Sequence, residues 1–127
     1  MLPDSLDLTG RAALITGAGS ESGIGFAAAR ALADLGASVT VAATTDRIHE
    51  RARELTDLGY AAQGAIADLT DAGAAEALVR SAREHWGRLD IVVNNAGMTS
   101  VAVPGAVEGG DALSLGAEAW RASMARN

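Results

Sequence analysis

The chain contains no cysteine, which excludes a disulfide framework and any thiolate metal site. It contains no lysine either; all of its cationic side chains are arginines. Aromatic residues make up only 3% of the sequence, and prolines number two. No apolar run approaches the length of a membrane span. The first ten residues hold Asp4 and Asp7 and no long apolar stretch, so they do not read as a secretory leader. Basic runs are missing too: the net charge is −6 with both signs interspersed, which argues against nucleic acid and against an anionic membrane surface as partners. The two histidines, His49 and His85, stand apart with no acid at ligand spacing, so no metal site is expected. There is no internal repeat and no low-complexity segment. What remains is an apolar fraction of 49% over 127 residues, enough for one domain with one core in a reducing, cytoplasmic setting.

What is present in quantity is glycine, 15 residues of it, and four lie between positions 17 and 25. The stretch Thr16-Gly17-Ala18-Gly19-Ser20-Glu21-Ser22-Gly23-Ile24-Gly25 follows the apolar run Ala12-Ala13-Leu14-Ile15 and opens into a helical pattern. Glycines at such a junction let the backbone turn off a strand end and come within contact distance of another group. The helix beyond directs its N-terminal amides and positive dipole end at the loop, so a phosphate held there needs no cationic side chain.

The remaining pattern alternates strands and helices. Strands are predicted over residues 11–16, 38–43, 60–67 and 89–93, and helices over 23–35, 46–58, 71–86 and 117–127. In the first helix the apolar series Ile24, Ala27, Ala28, Ala31, Leu32 and Leu35 predicts the buried face, with Ser22 as N-cap and Gly36 past the C-terminus. In the third, Ala75, Leu78, Val79, Ala82 and Trp86 have the same spacing. Residues 97–116 read as loop. Such alternation implies βαβ crossovers and an α/β fold with a doubly wound parallel sheet.

These residues resemble the short-chain dehydrogenases/reductases. The Thr-Gly opening with Gly23-Ile24-Gly25 looks like that family's cofactor loop, although five residues separate Gly17 from Gly23 where the family usually has three. Asp68-Leu69 looks like its adenine-contacting pair, and Asn94-Asn95-Ala96-Gly97 is its most specific short motif. Trp120 precedes Asn127 by seven residues, the spacing of the family's catalytic asparagine. The resemblance implies a Rossmann-type sheet of strand order 3-2-1-4 over residues 1–127, corresponding to about the first half of a family member. It places the family's catalytic serine, tyrosine and lysine beyond residue 127, so these 127 residues alone are expected to be inactive; Tyr60 has Gly64, not lysine, at the Tyr-x-x-x-Lys spacing.

A dinucleotide lying across the carboxyl ends of such strands would set its diphosphate against Gly17, Gly19, Ser20, Ser22, Gly23, Ile24 and Gly25. Its adenine would lie near Asp68 and Leu69, and its ribose near Asn94, Ala96 and Gly97. Glu21 is expected to point to solvent, away from the diphosphate. The NAD-preferring position at the end of strand two holds Ala43, and Thr44, Thr45 and Arg47 are placed to meet a 2′-phosphate, which favours NADP(H). Asp46, roughly 20 residues past the last glycine, keeps NAD(H) open. The expected activity is hydride transfer between NADP(H) and a small-molecule carbonyl or alcohol, a 3-oxoacyl-thioester reductase among the choices, in a homodimer or homotetramer. The alternative is a non-catalytic nucleotide-binding module complete as written. A methyltransferase using the same glycine turn would want an acid at position 43 and leaves the Asn-Asn-Ala-Gly stretch unexplained.

Overall fold

The computed structural model describes residues 3–97, 113–114 and 116–126. After a 3-10 turn at Asp4–Leu6 come β1 (Ala12–Ile15), α1 (Ile24–Asp34), β2 (Ser38–Ala43), α2 (Arg47–Asp57), β3 (Ala62–Ile66), α3 (Ala72–Trp86), β4 (Ile91–Val93) and α4 (Ala117–Arg126). The four strands form one parallel sheet in the order β3-β2-β1-β4, as expected. Register pairs Ile15 with both Val41 and Val93, and Ala43 with Ile66. The carboxyl ends of all four strands therefore finish at one edge of the sheet, and the loops that follow them share that edge.

The strands divide their side chains between two layers, as a period of two requires. Ala13, Ile15, Val39 and Val41 face α1 and α2, packing with Phe26, Ala29, Ala33, Ile48, Ala52 and Leu55. Leu14 and Ala42 face α3, with Ala67 and Leu78. Every residue of β1 is buried, the mark of a central strand covered on both faces. Thr40, fully buried in β2, takes hydrogen bonds from Gln63 Nε2 (2.9 Å) and Trp86 Nε1 (3.0 Å), so its hydroxyl is satisfied inside the α3 layer. In α3 the predicted face holds at Leu78 and Ala82, which are buried, whereas Val79 lies at its margin and is largely exposed.

The face predicted for α1 is corrected. The buried residues are Gly25, Phe26, Ala29 and Ala33; Ala27 and Ala31 are exposed, Ala28, Leu32 and Leu35 only half-buried, and Ile24 is 80% exposed. Five of the eleven residues of this helix are alanines, so apolar spacing leaves its rotation open. Packing closes it: Gly25 must face the loop, and Phe26, with by far the largest apolar surface, must face the sheet. The predicted cap is corrected as well. Gly23 is the N-cap, and no side chain caps the helix. Ser22 Oγ instead lies 3.5 Å from Ser20 Oγ, within the loop.

Candidate functional site

The site is assembled where β1 and β4 deliver their carboxyl ends side by side. Thr16, the residue after β1, is buried although polar. Its Oγ1 accepts from the amides of Asn95 (3.1 Å) and Ala96 (3.0 Å) and lies 3.3 Å from the carbonyl of Val93, to which it donates. Asn95 completes the joint from the other side: its Nδ2 donates to the carbonyls of Thr16 (3.1 Å) and Gly17 (3.2 Å). One hydroxyl and one amide thus stitch the strand-four turn to the start of the glycine loop.

Two glycines in this joint allow no side chain. A Cβ on Gly17 would stand 2.9 Å from Ala96 Cα, and the residue sits at φ +67°. A Cβ on Gly25 would stand 2.6 Å from Asn95 Nδ2 and 2.7 Å from the carbonyl oxygen of Gly17. All three distances are below real contacts, so the loop, the first turn of α1 and the Asn95 side chain interlock through bare backbone. The loop also leans on β2, through the Ala18 amide on the Ala42 carbonyl at 3.0 Å.

This packing leaves donors at the mouth of the loop. The first amides of an α-helix have no intrahelical acceptor. Here no side chain takes them, and among the described residues those of Ile24, Gly25 and Phe26 have no other partner. The amides of Gly19, Ser20, Glu21 and Ser22 have none either, while that of Gly23 closes a turn on the Ser20 carbonyl at 3.2 Å. Free amides at a helix N-terminus suit an anion with several oxygens. The residues present therefore fit a diphosphate, and the exposed Ile24 sets an apolar surface beside it.

The other predicted residues lie along the same edge. Thr44 and Thr45 follow β2, and exposed Arg47 opens α2, its Nε 3.4 Å from Thr45 Oγ1. Asp68 and Leu69 follow β3 and are exposed. The Thr70 hydroxyl (2.6 Å) and amide (3.0 Å) on Asp68 hold its carboxyl below the usual range, so it is ionised at neutral pH. Asn94 is exposed, and Ala96 and Gly97 continue the turn. Glu21 points outward, as expected, and its Oε2 stands 3.6 Å from Arg51 Nη1. Asn127 and most of the 97–116 segment lie outside the described residues. The sequence reading missed Thr16 and Asn95 as site-building residues. The signal was available: alternation along β4 turns Asn94 outward and Asn95 inward, beside a threonine that ends an otherwise apolar strand.

Among the described residues no three His, Cys, Asp or Glu side chains group to hold a metal ion, and no helix is long and apolar enough to cross a membrane.

Comparison with known proteins bears on this geometry. The family model for short chain dehydrogenases matches residues 11–127. Oxidoreductase UcpA of Salmonella typhimurium is 43% identical over 91 residues, 72% of this chain and 34% of the relative. The cis-4-hydroxycyclohexanecarboxylate dehydrogenase of Sinomonas cyclohexanicum is 39% identical over 94 residues, 74% of this chain and 37% of that protein. Among solved structures, a dehydrogenase/reductase from Sinorhizobium meliloti superposes with a TM-score of 0.83 at 31% identity, covering 96% of this chain and 45% of the other. The chain thus spans about a third of the length of the curated relatives it matches and under half of the solved chain. With the parallel 3-2-1-4 sheet, the glycine loop latched to the strand-four turn and the family match over residues 11–127, the chain belongs to the short-chain dehydrogenases, oxidoreductases built on a Rossmann-type NAD(P)-binding fold.

Proposed function

We propose that this chain is the dinucleotide-binding portion of an oxidoreductase that transfers a hydride between NADP(H) and a small carbonyl or alcohol. The observation that carries the reading is the uncapped first turn of α1, whose amides open into a loop held in shape by Gly17, Gly25, Thr16 and Asn95. The dinucleotide, when bound, supplies or accepts the hydride. The chain's own residues bind and orient it. Gly19, Ser20, Ser22, Gly23 and Ile24 would offer backbone donors and contact surface to the diphosphate, with Gly17 and Gly25 keeping the approach open. Asp68 and Leu69 would meet the adenine, and Asn94, Ala96 and Gly97 the nicotinamide-side ribose. Thr44, Thr45 and Arg47 would take a 2′-phosphate; a guanidinium on a phosphate forms charge-assisted bonds that a ribose hydroxyl cannot return.

The same reading gives Asn127 a place in the catalytic tetrad and places the serine, tyrosine and lysine of that tetrad in the remainder of a longer enzyme. The choice of substrate, with 3-oxoacyl thioesters among the candidates, and a homodimeric or homotetrameric assembly belong to that remainder. Titration of the purified protein with NADPH and NADH, followed by energy transfer from tryptophan, tests the reading. Tighter binding of NADPH is expected. Equal or tighter NADH binding overturns the cofactor preference, and binding of neither overturns the cofactor reading.

A further inference from the structure

We propose that Arg51 and Glu21 form a positioning pair that ties the glycine loop to α2 and sets how tightly the loop holds a diphosphate; the inference rests on the cofactor reading above. Arg51 is a helix-face arginine that the fold has buried, with its side chain 11% exposed and its Cζ 5.8 Å from the Phe26 ring centroid on α1. Its Nη2 is held by Glu54 of its own helix at 2.5 Å, with Glu50 at 3.6 Å. Its Nη1 faces the loop, at 3.6 Å from Glu21 Oε2. Among the described residues Nε is buried with no partner, a cost that the pose bears because the two terminal nitrogens face carboxylates of α2 and of the loop. Among the described residues Glu21 is the only side chain of positions 18–22 with a polar partner outside the loop.

Charge alone predicts the opposite effect of this glutamate. A carboxylate near a diphosphate repels it, so removing the charge should tighten binding if Glu21 merely hangs in solvent. If the pair holds the loop in its receptive shape, removal weakens binding, because loose amides must be ordered by the ligand.

Glu21→Gln and Arg51→Lys, singly and together, separate the two in the intact protein. For Glu21→Gln we expect NADPH and NADH to bind roughly threefold more weakly, the scale of one exposed ion pair, at unchanged melting temperature. Hydrogen exchange of the ligand-free protein should quicken at the Ala18 and Gly23 amides, the hydrogen-bonded amides of the loop, and nowhere else. The double variant should lose no more than the larger single loss, since both changes break one link. Wild-type binding with Glu21→Gln equal or tighter, or with strictly additive losses, overturns the tether while leaving the cofactor reading intact. Failure of the wild-type protein to bind either dinucleotide overturns both.

Discussion

Thr16 shows how much one buried hydroxyl can organise. It meets two amides and one carbonyl of the strand-four turn, so its loss leaves the Ala96 amide without its acceptor. Thr16→Val is expected to destabilise the fold by about 1–3 kcal/mol in urea unfolding, whereas Thr16→Ser keeps the oxygen and should cost less. Arg47 offers a contrasting case, exposed and, among the described residues, held only by a long contact to Thr45. Arg47→Ala should leave stability unchanged and weaken NADPH binding about tenfold while sparing NADH, measured by the same fluorescence titration. An equal loss for both dinucleotides would remove the 2′-phosphate assignment. A close backbone approach at Gly17 and Gly25 was legible from the glycine-rich strand-to-helix turn taken together with the Asn94-Asn95-Ala96-Gly97 stretch. Thr16 and Asn95 were not, because their importance is a mutual distance between residues far apart in the chain.

At the scale of elements, α1 separates pattern from packing. Its sequence is apolar almost all round, broken by Arg30 and Asp34, and several rotations satisfy the helical period. The structure selects the one that buries Phe26 against the sheet and leaves Ile24 open at the loop. Phe26→Ala is therefore expected to cost about 3 kcal/mol or more of stability, and Ile24→Ala within about 0.5 kcal/mol. Calorimetry of the two variants checks the rotation: a large loss at Ile24 with a small one at Phe26 would restore the face expected from spacing. By contrast α2 and α3 carry clear polar faces, and their ends were legible from Gly59, two residues past α2, and Gly87, the first residue past α3, both with φ above +70°. Strand ends were legible only to within a residue or two, since pairing and not composition decides where a ladder stops.

For the whole molecule the decisive fact is that four parallel strands finish at one level, so that loops scattered over some eighty residues become a single edge. The opposite end of the sheet is fastened by Asp90. Its carboxylate accepts from Arg88 Nε and Nη2, both at 2.7 Å, from the Ala12 amide at 2.9 Å and from Arg11 at 3.4 Å, tying the start of β4 to β1. The Arg88 guanidinium, then the Ala12 amide, hold its carboxyl far below the usual carboxylate range. A carboxyl whose folded-state pKa is depressed stabilises the fold above its unfolded value and loses that contribution as pH falls toward the folded one. Wild-type stability should therefore decline below about pH 4, while Asp90→Asn is less stable at neutral pH and shows a shallower decline. Acid titrations of the two proteins that stay parallel down to pH 2 would show that Asp90 does not carry the effect.

The amino-acid sequence by itself determined the alternation of strands and helices, the parallel sheet and the glycine turn after its first strand, while the strand order followed from the family resemblance. These are local properties, set by residue spacing and by what glycine and β-branched residues permit. The tertiary structure decided which face α1 buries, that its first turn carries no cap, and that Thr16, Asn95 and Arg51 hold the loop. The reason is physical: each depends on distances between segments that only packing brings together, and no periodicity within one segment encodes them.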